Sequence, residues 1–171
     1  DFVFLLCHEP AKIGGESFAV DAYRLVAAIE RRENLHDLAR FLWRTPIDQS
    51  TRTGLPHVRP TAQLTPGGRL SVLRHDSQRV DGNPDPRSQT LLECWHDITE
   101  EAAAEAPRFL VRPGELLCLD NYRILHGREA YEGDTRLLRR VWAWSGHAFG
   151  APRPDILDAR PPGDMVLMHA T

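Results

Sequence analysis

The sequence predicts one domain, mainly β with flanking helices, and three observations carry that reading. Short runs rich in β-formers stand at Phe2–Cys7, Leu116–Leu119 and Arg136–Ser145. Apolar residues recur at helical spacing between them, first at Leu25, Val26 and Ile29, then at Leu91, Trp95, Ile98 and Ala102. A length of 171 residues leaves room for one sizeable core.

The elements follow in order. Phe2–Cys7 is short and apolar, as a buried strand is, and Gly14-Gly15 then marks a tight turn before a strand at Ser17–Val20. Asp21 is placed to cap a helix that runs through Arg32, and Leu35, Leu38, Ala39 and Leu42 extend a second helix towards Trp43, closed by Pro46. Residues 45–86 are rich in Pro, Gly, Arg, Asp and Thr and read as a loop-rich insertion. Short strands are expected in it near Val58–Gln63 and Arg69–Arg74, around the turn Thr65-Pro66-Gly67-Gly68. Two readings of it stand open, a solvated insertion and a cover for a substrate.

Pro86 suits the first turn of a helix to about Ala106, with Leu91, Trp95, Ile98 and Ala102 facing the core and His96 and Asp97 beside them as surface or capping groups. After Pro107 come strands at Phe109–Val111, Leu116–Leu119, Tyr122–His126 and Arg136–Ser145, with Arg112-Pro113-Gly114 turning between the first two. Residues 1–150 thus form one domain and 151–171 a Pro-rich C-terminal tail. The chain opens on Asp1 inside an apolar run without an initiator Met, so it is read as lacking its N-terminal part.

Composition excludes several classes. With 42% hydrophobic and 26% charged residues the chain is neither disordered nor collagen-like. Its apolar runs fall far short of the roughly 20 residues of a membrane span, and no signal-peptide pattern opens it, so a cytoplasmic location and no membrane partner are expected. A net charge of -3 offers no general attraction to nucleic acid or to an anionic membrane surface. Cys7, Cys94 and Cys118 are an odd number without a C-x-x-C pair, which argues against a disulfide framework or structural zinc and makes them small core residues. A homo-oligomer is left open.

The chemistry gathers near the C-terminus. His126 ends one predicted strand and Arg136 begins the next. Strand alternation places Arg136, Leu138, Arg140, Trp142 and Trp144 on one side and Leu137, Arg139, Val141 and Ala143 on the other. Two arginines on a largely apolar strand suggest a ligand bearing a carboxylate, because a buried guanidinium needs an anion and its fork fits one. Periodicity alone favours the other reading, an exposed basic face, since a half-exposed antiparallel strand alternates in the same way.

The stretch Asp120-Asn-Tyr-Arg-Ile-Leu-His126-Gly-Arg128, followed by Arg136-Leu-Leu-Arg-Arg-Val-Trp142, resembles the C-terminal motif of the taurine dioxygenase (TauD/TfdA) family, which contains Fe(II)/2-oxoglutarate-dependent oxygenases. Leu5-Leu-Cys-His-Glu-Pro-Ala-Lys-Ile-Gly-Gly-Glu-Ser17 is similar to the family's segment leading into its Gly-Gly-Glu-Thr turn. The resemblance implies a double-stranded β-helix, or jelly-roll, incomplete at its N-terminus. It makes His126 the distal histidine of a two-histidine, one-carboxylate iron site. Arg136 becomes the arginine for the distal carboxylate of 2-oxoglutarate, Ser17 stands where the family has an assisting Thr, and Arg140 matches a second arginine near cosubstrate or substrate. The implied partners are O2 and a small polar or amino-acid-like substrate, hydroxylated, desaturated or cyclised as succinate and CO2 form. Trp142, Trp144 and Tyr131 are read as pocket or core aromatics.

One departure stands out. The family takes its other two iron ligands from a His-x-Asp or His-x-Glu pair upstream of the Gly-Gly turn. The residues two places after the eight histidines are Pro10, Leu38, Arg59, Ser77, Ile98, Arg128, Phe149 and Thr171, none of them acidic. The pair is expected before Asp1. The alternative is a non-catalytic jelly-roll domain that keeps an arginine-lined anion site and holds no iron.

Overall fold

The run Phe-Val-Phe-Leu-Leu-Cys is too apolar for an edge, and it becomes an inner strand of the largest sheet. The computed structural model describes residues 2–49, 58–74, 78–133, 135–144 and 166–169, with 144 and 166–169 described in backbone alone. In chain order the elements are β1 (Phe2–Glu9), β2 (Ile13–Gly14), β3 (Ser17–Asp21), α1 (Ala22–Glu30), α2 (His36–Arg44), β4 (Ile47–Asp48), β5 (Val58–Arg59) and β6 (Ala62–Leu64). There follow β7 (Leu70–Val72), β8 (Arg79–Val80), α3 (Pro86–Glu105), β9 (Leu116–Asp120), β10 (Ile124–Arg128), β11 (Tyr131–Glu132), β12 (Leu137–Trp144) and β13 (Val166–His169). Among the described residues no helix is long and apolar enough to cross a membrane.

The main sheet has the order β13-β12-β1-β9. β1 runs antiparallel to both neighbours, pairing Leu5 with Arg140 and Leu117, and Val3 with Trp142 and Leu119. Cross-strand partners share a face, so Val3, Leu5 and Cys7 lie with Leu138, Arg140 and Trp142 on one side. Val3, Cys7 and Leu119 are buried there. The opposite face carries Leu116 and Leu137, both exposed, and the exposed Cys118. The expectation of three core cysteines therefore fails at Cys118, which strand parity puts on the outer face with Leu116. Cys7 is buried and Cys94 half-buried.

A second layer is the antiparallel pair β3–β10, with Ala19 opposite His126 and Ser17 opposite Arg128. One face of this pair turns to the main core, where Val20 is buried and Leu125 packs against the cluster of α1, α2 and α3. Asp21 fixes the junction. Its carboxylate caps α1 by accepting from the Tyr23 and Arg24 amides, and it accepts a two-pronged bond from Arg123 at 3.1 and 2.6 Å. The Arg123 guanidinium, chiefly through that side-chain bond, holds the Asp21 carboxyl below its ordinary range. Arg123 sits in the turn between β9 and β10, so this link sets where β10 starts relative to α1.

α3 begins as its Asp85-Pro86 signature requires, with Asp85 accepting from the Ser88 amide at 3.0 Å. Its buried stripe, however, is Leu92, Trp95 and Thr99, while Leu91 and Ile98 flank it half-buried. Trp95 belongs to the expected and observed stripes alike. The turn of the stripe towards Thr99 is possible because the Thr99 hydroxyl donates to the His96 carbonyl at 2.8 Å and so is buried satisfied. Phe109–Val111 is no strand. Phe109 makes an isolated bridge to Ser17, exchanging bonds of 2.7 and 3.0 Å, and Pro107 and Pro113 bound the segment with missing donors.

Several described residues of the loop-rich region 45–86 are packed, while residues 66–68 and 81–86 are exposed. Ile47, Ala62, Val72 and Val80 join the main core through the sheet β5-β4-β8 and the hairpin β6–β7. Gln49 is buried with them, donating to the Arg59 and Pro60 carbonyls and accepting from Gln78. Residues 50–57 and 75–77, and with them part of the expected cover, lie outside the described residues. In the Pro-rich tail, β13 pairs parallel to β12 from Val141 with Val166 to Trp144 with His169. The remainder of the tail, and Ser145 at the expected strand end, lie outside the described residues.

Candidate functional site

Strand alternation decides what faces what. On the β3–β10 pair, Ser17, Ala19, His126 and Arg128 occupy the face away from the helical core. On β12 the face with Leu138 and Arg140 continues into Arg136, the residue before the strand begins. Ser17, Arg136 and Leu138 line a single pocket, together with Ala11 and Gly15 from the turn side and the apolar walls Leu110 and Val111. Ser17 and Arg136, far apart in sequence, thus line one pocket.

Arg136 is half-buried, and among the described residues no acidic side chain is ion-paired with it. Its guanidinium carbon stands 5.3 Å from the centre of the Tyr131 ring. A planar cation with five donors, in a pocket with apolar walls and a serine, is suited to a carboxylate. Its charge reaches the buried Cys7 thiol, where desolvation nonetheless dominates and pushes the pKa up. Arg140 goes elsewhere. It is exposed, it stacks 5.2 Å from the Trp142 ring centre, and it is absent from the walls of the Arg136 pocket. The shared strand face therefore splits into one arginine inside the pocket and one on the histidine side. Tyr131 is exposed beneath two guanidinium groups rather than buried, and the Trp144 side chain lies outside the described residues.

His126 is exposed to solvent, and desolvation is nonetheless the largest influence on its imidazole. That desolvation, opposed by the Ile124 carbonyl and assisted by the positive charge of Arg140, lowers its pKa below the ordinary imidazole value. Its Nδ1 lies 3.5 Å from the Ile124 carbonyl oxygen. In the tautomer that donates through Nδ1, Nε2 is left with its lone pair, the form a metal ion takes. We expect the His126 imidazole to titrate with a midpoint below about 6.5 in an NMR pH series. The sign for stability follows: protonation favours the unfolded chain, so the contribution is complete above about pH 6.5 and is lost as pH falls through the lowered value. A midpoint above 6.5 would contradict this environment.

The backbone of β10 is held by a close approach. A Cβ built on Gly127 would lie 2.3 Å from Cζ of Phe18, its cross-strand partner, whose ring is covered in turn by the Arg108 guanidinium at 4.7 Å. Gly127→Ala should therefore cost about 1–3 kcal/mol in urea unfolding, as overpacking does. A variant as stable as the parent would mean that Phe18 yields freely.

A facial iron site needs two further protein ligands beside His126. Among the described residues no group of three His, Cys, Asp or Glu side chains comes together as a metal cage. The described residues thus include His126 as a candidate ligand and do not complete an iron site, whereas the pocket brings the Arg136 guanidinium and the Ser17 hydroxyl together, donors from which a carboxylate accepts. Sequence reasoning missed the walls at Ala11, Leu110 and Val111. Leu138 was legible from its parity with Arg136, but Leu110 and Val111 arrive through the Phe109–Ser17 bridge, which leaves no mark in the sequence.

Comparison with known proteins adds to this geometry. A family model described as "Taurine catabolism dioxygenase TauD, TfdA family" matches residues 1–142. An L-ornithine/L-arginine 3-hydroxylase of Catenulispora acidiphila is 33% identical over 61 residues, which are 33% of this chain and 18% of that protein. The crystal structure of asparagine oxygenase in complex with Fe(II), 2S,3S-3-hydroxyasparagine and succinate superposes with a TM-score of 0.60 at 19% identity, covering 82% of this chain and 44% of that one. That of AAD-2 in complex with Mn(II) and N-oxalylglycine gives 0.58 at 17% identity, covering 81% and 61%. The chain spans less than two thirds of each of these proteins. At such identities the likeness establishes the fold, the jelly-roll expected from the sequence motifs.

Proposed function

From a chain that belongs to the TauD/TfdA family, we propose that the protein carrying it is an Fe(II)/2-oxoglutarate-dependent dioxygenase acting on a small polar or amino-acid-like substrate. The observation that carries the reading is the joining of Ser17 and Arg136 in one pocket on the face that also bears His126. Arg136 would hold the distal carboxylate of 2-oxoglutarate with Ser17 beside it, and His126 would give one ligand to iron. When bound, the metal and cosubstrate supply O2 activation, and 2-oxoglutarate leaves as succinate and CO2 while the substrate is hydroxylated.

Arg140 supports the amino-acid-like class. An exposed guanidinium on the histidine side, outside the cosubstrate pocket, offers a second carboxylate its own partner. The names of two similar proteins, an ornithine/arginine hydroxylase and an asparagine oxygenase, point the same way. Three free thiols fit a cytoplasmic setting.

The test uses the whole protein, loaded with Fe(II) and 2-oxoglutarate in air and offered basic and amide amino acids. Succinate should form one for one with a product that has gained one oxygen atom. A protein that binds 2-oxoglutarate yet makes no succinate under any of these conditions would instead be the non-catalytic anion-binding domain.

A further inference from the structure

We infer that Tyr131 is a positioning residue that presents the Arg136 guanidinium to its carboxylate ligand, a role that rests on the 2-oxoglutarate reading above. β2 and β11 form a ribbon two residues long, with Tyr131 opposite Gly14 and Glu132 opposite Ile13. The Gly15 amide donates to the Ala130 carbonyl at 3.0 Å and ties the Gly-Gly turn to the base of Tyr131. The ribbon sets the Tyr131 ring 5.3 Å from the Arg136 guanidinium carbon and 4.5 Å from that of Arg128. One ring thus serves two cations, and Arg136 is the one that lines the pocket.

The two glycines make this seating possible. Both have positive φ, and a Cβ on Gly15 would lie 3.2 Å from Cβ of Tyr131 and 3.7 Å from Nε of Arg136. The bare backbone of the turn therefore packs against the tyrosine and the arginine at once. Arginine carries a long side chain with much rotamer freedom, and no described carboxylate steadies this one before a ligand arrives. The negative face of an aromatic ring is the support that remains, and it restrains the guanidinium without competing for the donors that a carboxylate needs. An exposed tyrosine with a merely structural role would leave ligand affinity untouched.

The experiment measures N-oxalylglycine affinity by calorimetry with Mn(II) on the whole protein, for the parent and for Tyr131→Leu, Tyr131→Phe and Arg136→Ala, with thermal melts on the same preparations. Tyr131→Leu should weaken binding about three- to tenfold, and Tyr131→Phe, which keeps the ring, should restore it. Parent-like affinity in Tyr131→Leu alongside loss in Arg136→Ala overturns the inference and leaves the 2-oxoglutarate reading standing. Parent-like affinity in Arg136→Ala overturns that reading itself. Equal weakening in the Leu and Phe variants would assign the effect to the hydroxyl and overturn the role of the ring. Tyr131→Met takes the place of the Leu variant if that one does not fold.

Discussion

Replacing His126 with Ala is expected to abolish succinate formation coupled to substrate oxidation, lowering it by at least about a hundredfold. Loss of a group that only orients a metal ligand costs about 10–100-fold, and loss of the ligand itself exceeds that. The imidazole meets what a ligand requires. It is solvent-accessible, its pKa is lowered by desolvation so that it is neutral near pH 7, and its Nδ1 is directed at the Ile124 carbonyl. Folding should be nearly indifferent, because the side chain is exposed and has no ion-paired partner among the described residues. The variant should therefore melt within a few degrees of the parent, lose Mn(II) affinity in calorimetry, and still bind 2-oxoglutarate weakly through Arg136. Coupled turnover that survives in a well-folded His126→Ala protein would remove the oxygenase assignment and favour the anion-binding domain.

How far the sequence reached differs between local and tertiary features. The arginine face of β12 followed from alternation, since Arg136 and Leu138 do share a pocket wall. The Asp21 cap and the Pro86 start of α3 are local chemistry and were likewise legible. Misses came where packing chose among options that pattern leaves equal. In α3 the stripe through Trp95 could lean to Ile98 or to Thr99, and a hydroxyl bonded back to the His96 carbonyl tipped it to Thr99. In 45–86 the short strands that hold Ala62 and Val72 were legible, but the composition of a loop concealed that Ile47, Ala62, Val72 and Val80 enter the core, each on a strand of two or three residues that is too short to show a period. Alternation also grouped Arg136 with Arg140, but it could not show that only the first would enter the pocket. That depends on where the Gly14-Gly15 turn and the Leu110–Val111 segment end the wall.

Arg136→Ala should raise the 2-oxoglutarate dissociation constant about thirtyfold or more. Removing one partner of a desolvated, hydrogen-bonded charge pair costs about 2–5 kcal/mol, and each 1.4 kcal/mol is a factor of ten. The upper part of that range applies only if the site excludes water well, and Arg136 is half-buried, which argues for the lower part. Its apolar neighbours Leu110, Val111 and Leu138 offer the ligand's distal carboxylate no other cation, and Arg140 stands outside the pocket. Lysine should restore little, because it supplies a point charge in place of the paired donors of the fork. In turnover the change should appear in KM for 2-oxoglutarate more than in the rate at saturation, since the arginine binds the end of the cosubstrate remote from the reacting carbon. Arg140→Ala is the companion measurement. It should leave the affinity for 2-oxoglutarate near that of the parent and weaken binding of a substrate that carries a carboxylate. Equal loss of cosubstrate binding in the two variants would mean that both arginines grip one anion, contrary to the separation seen along β12.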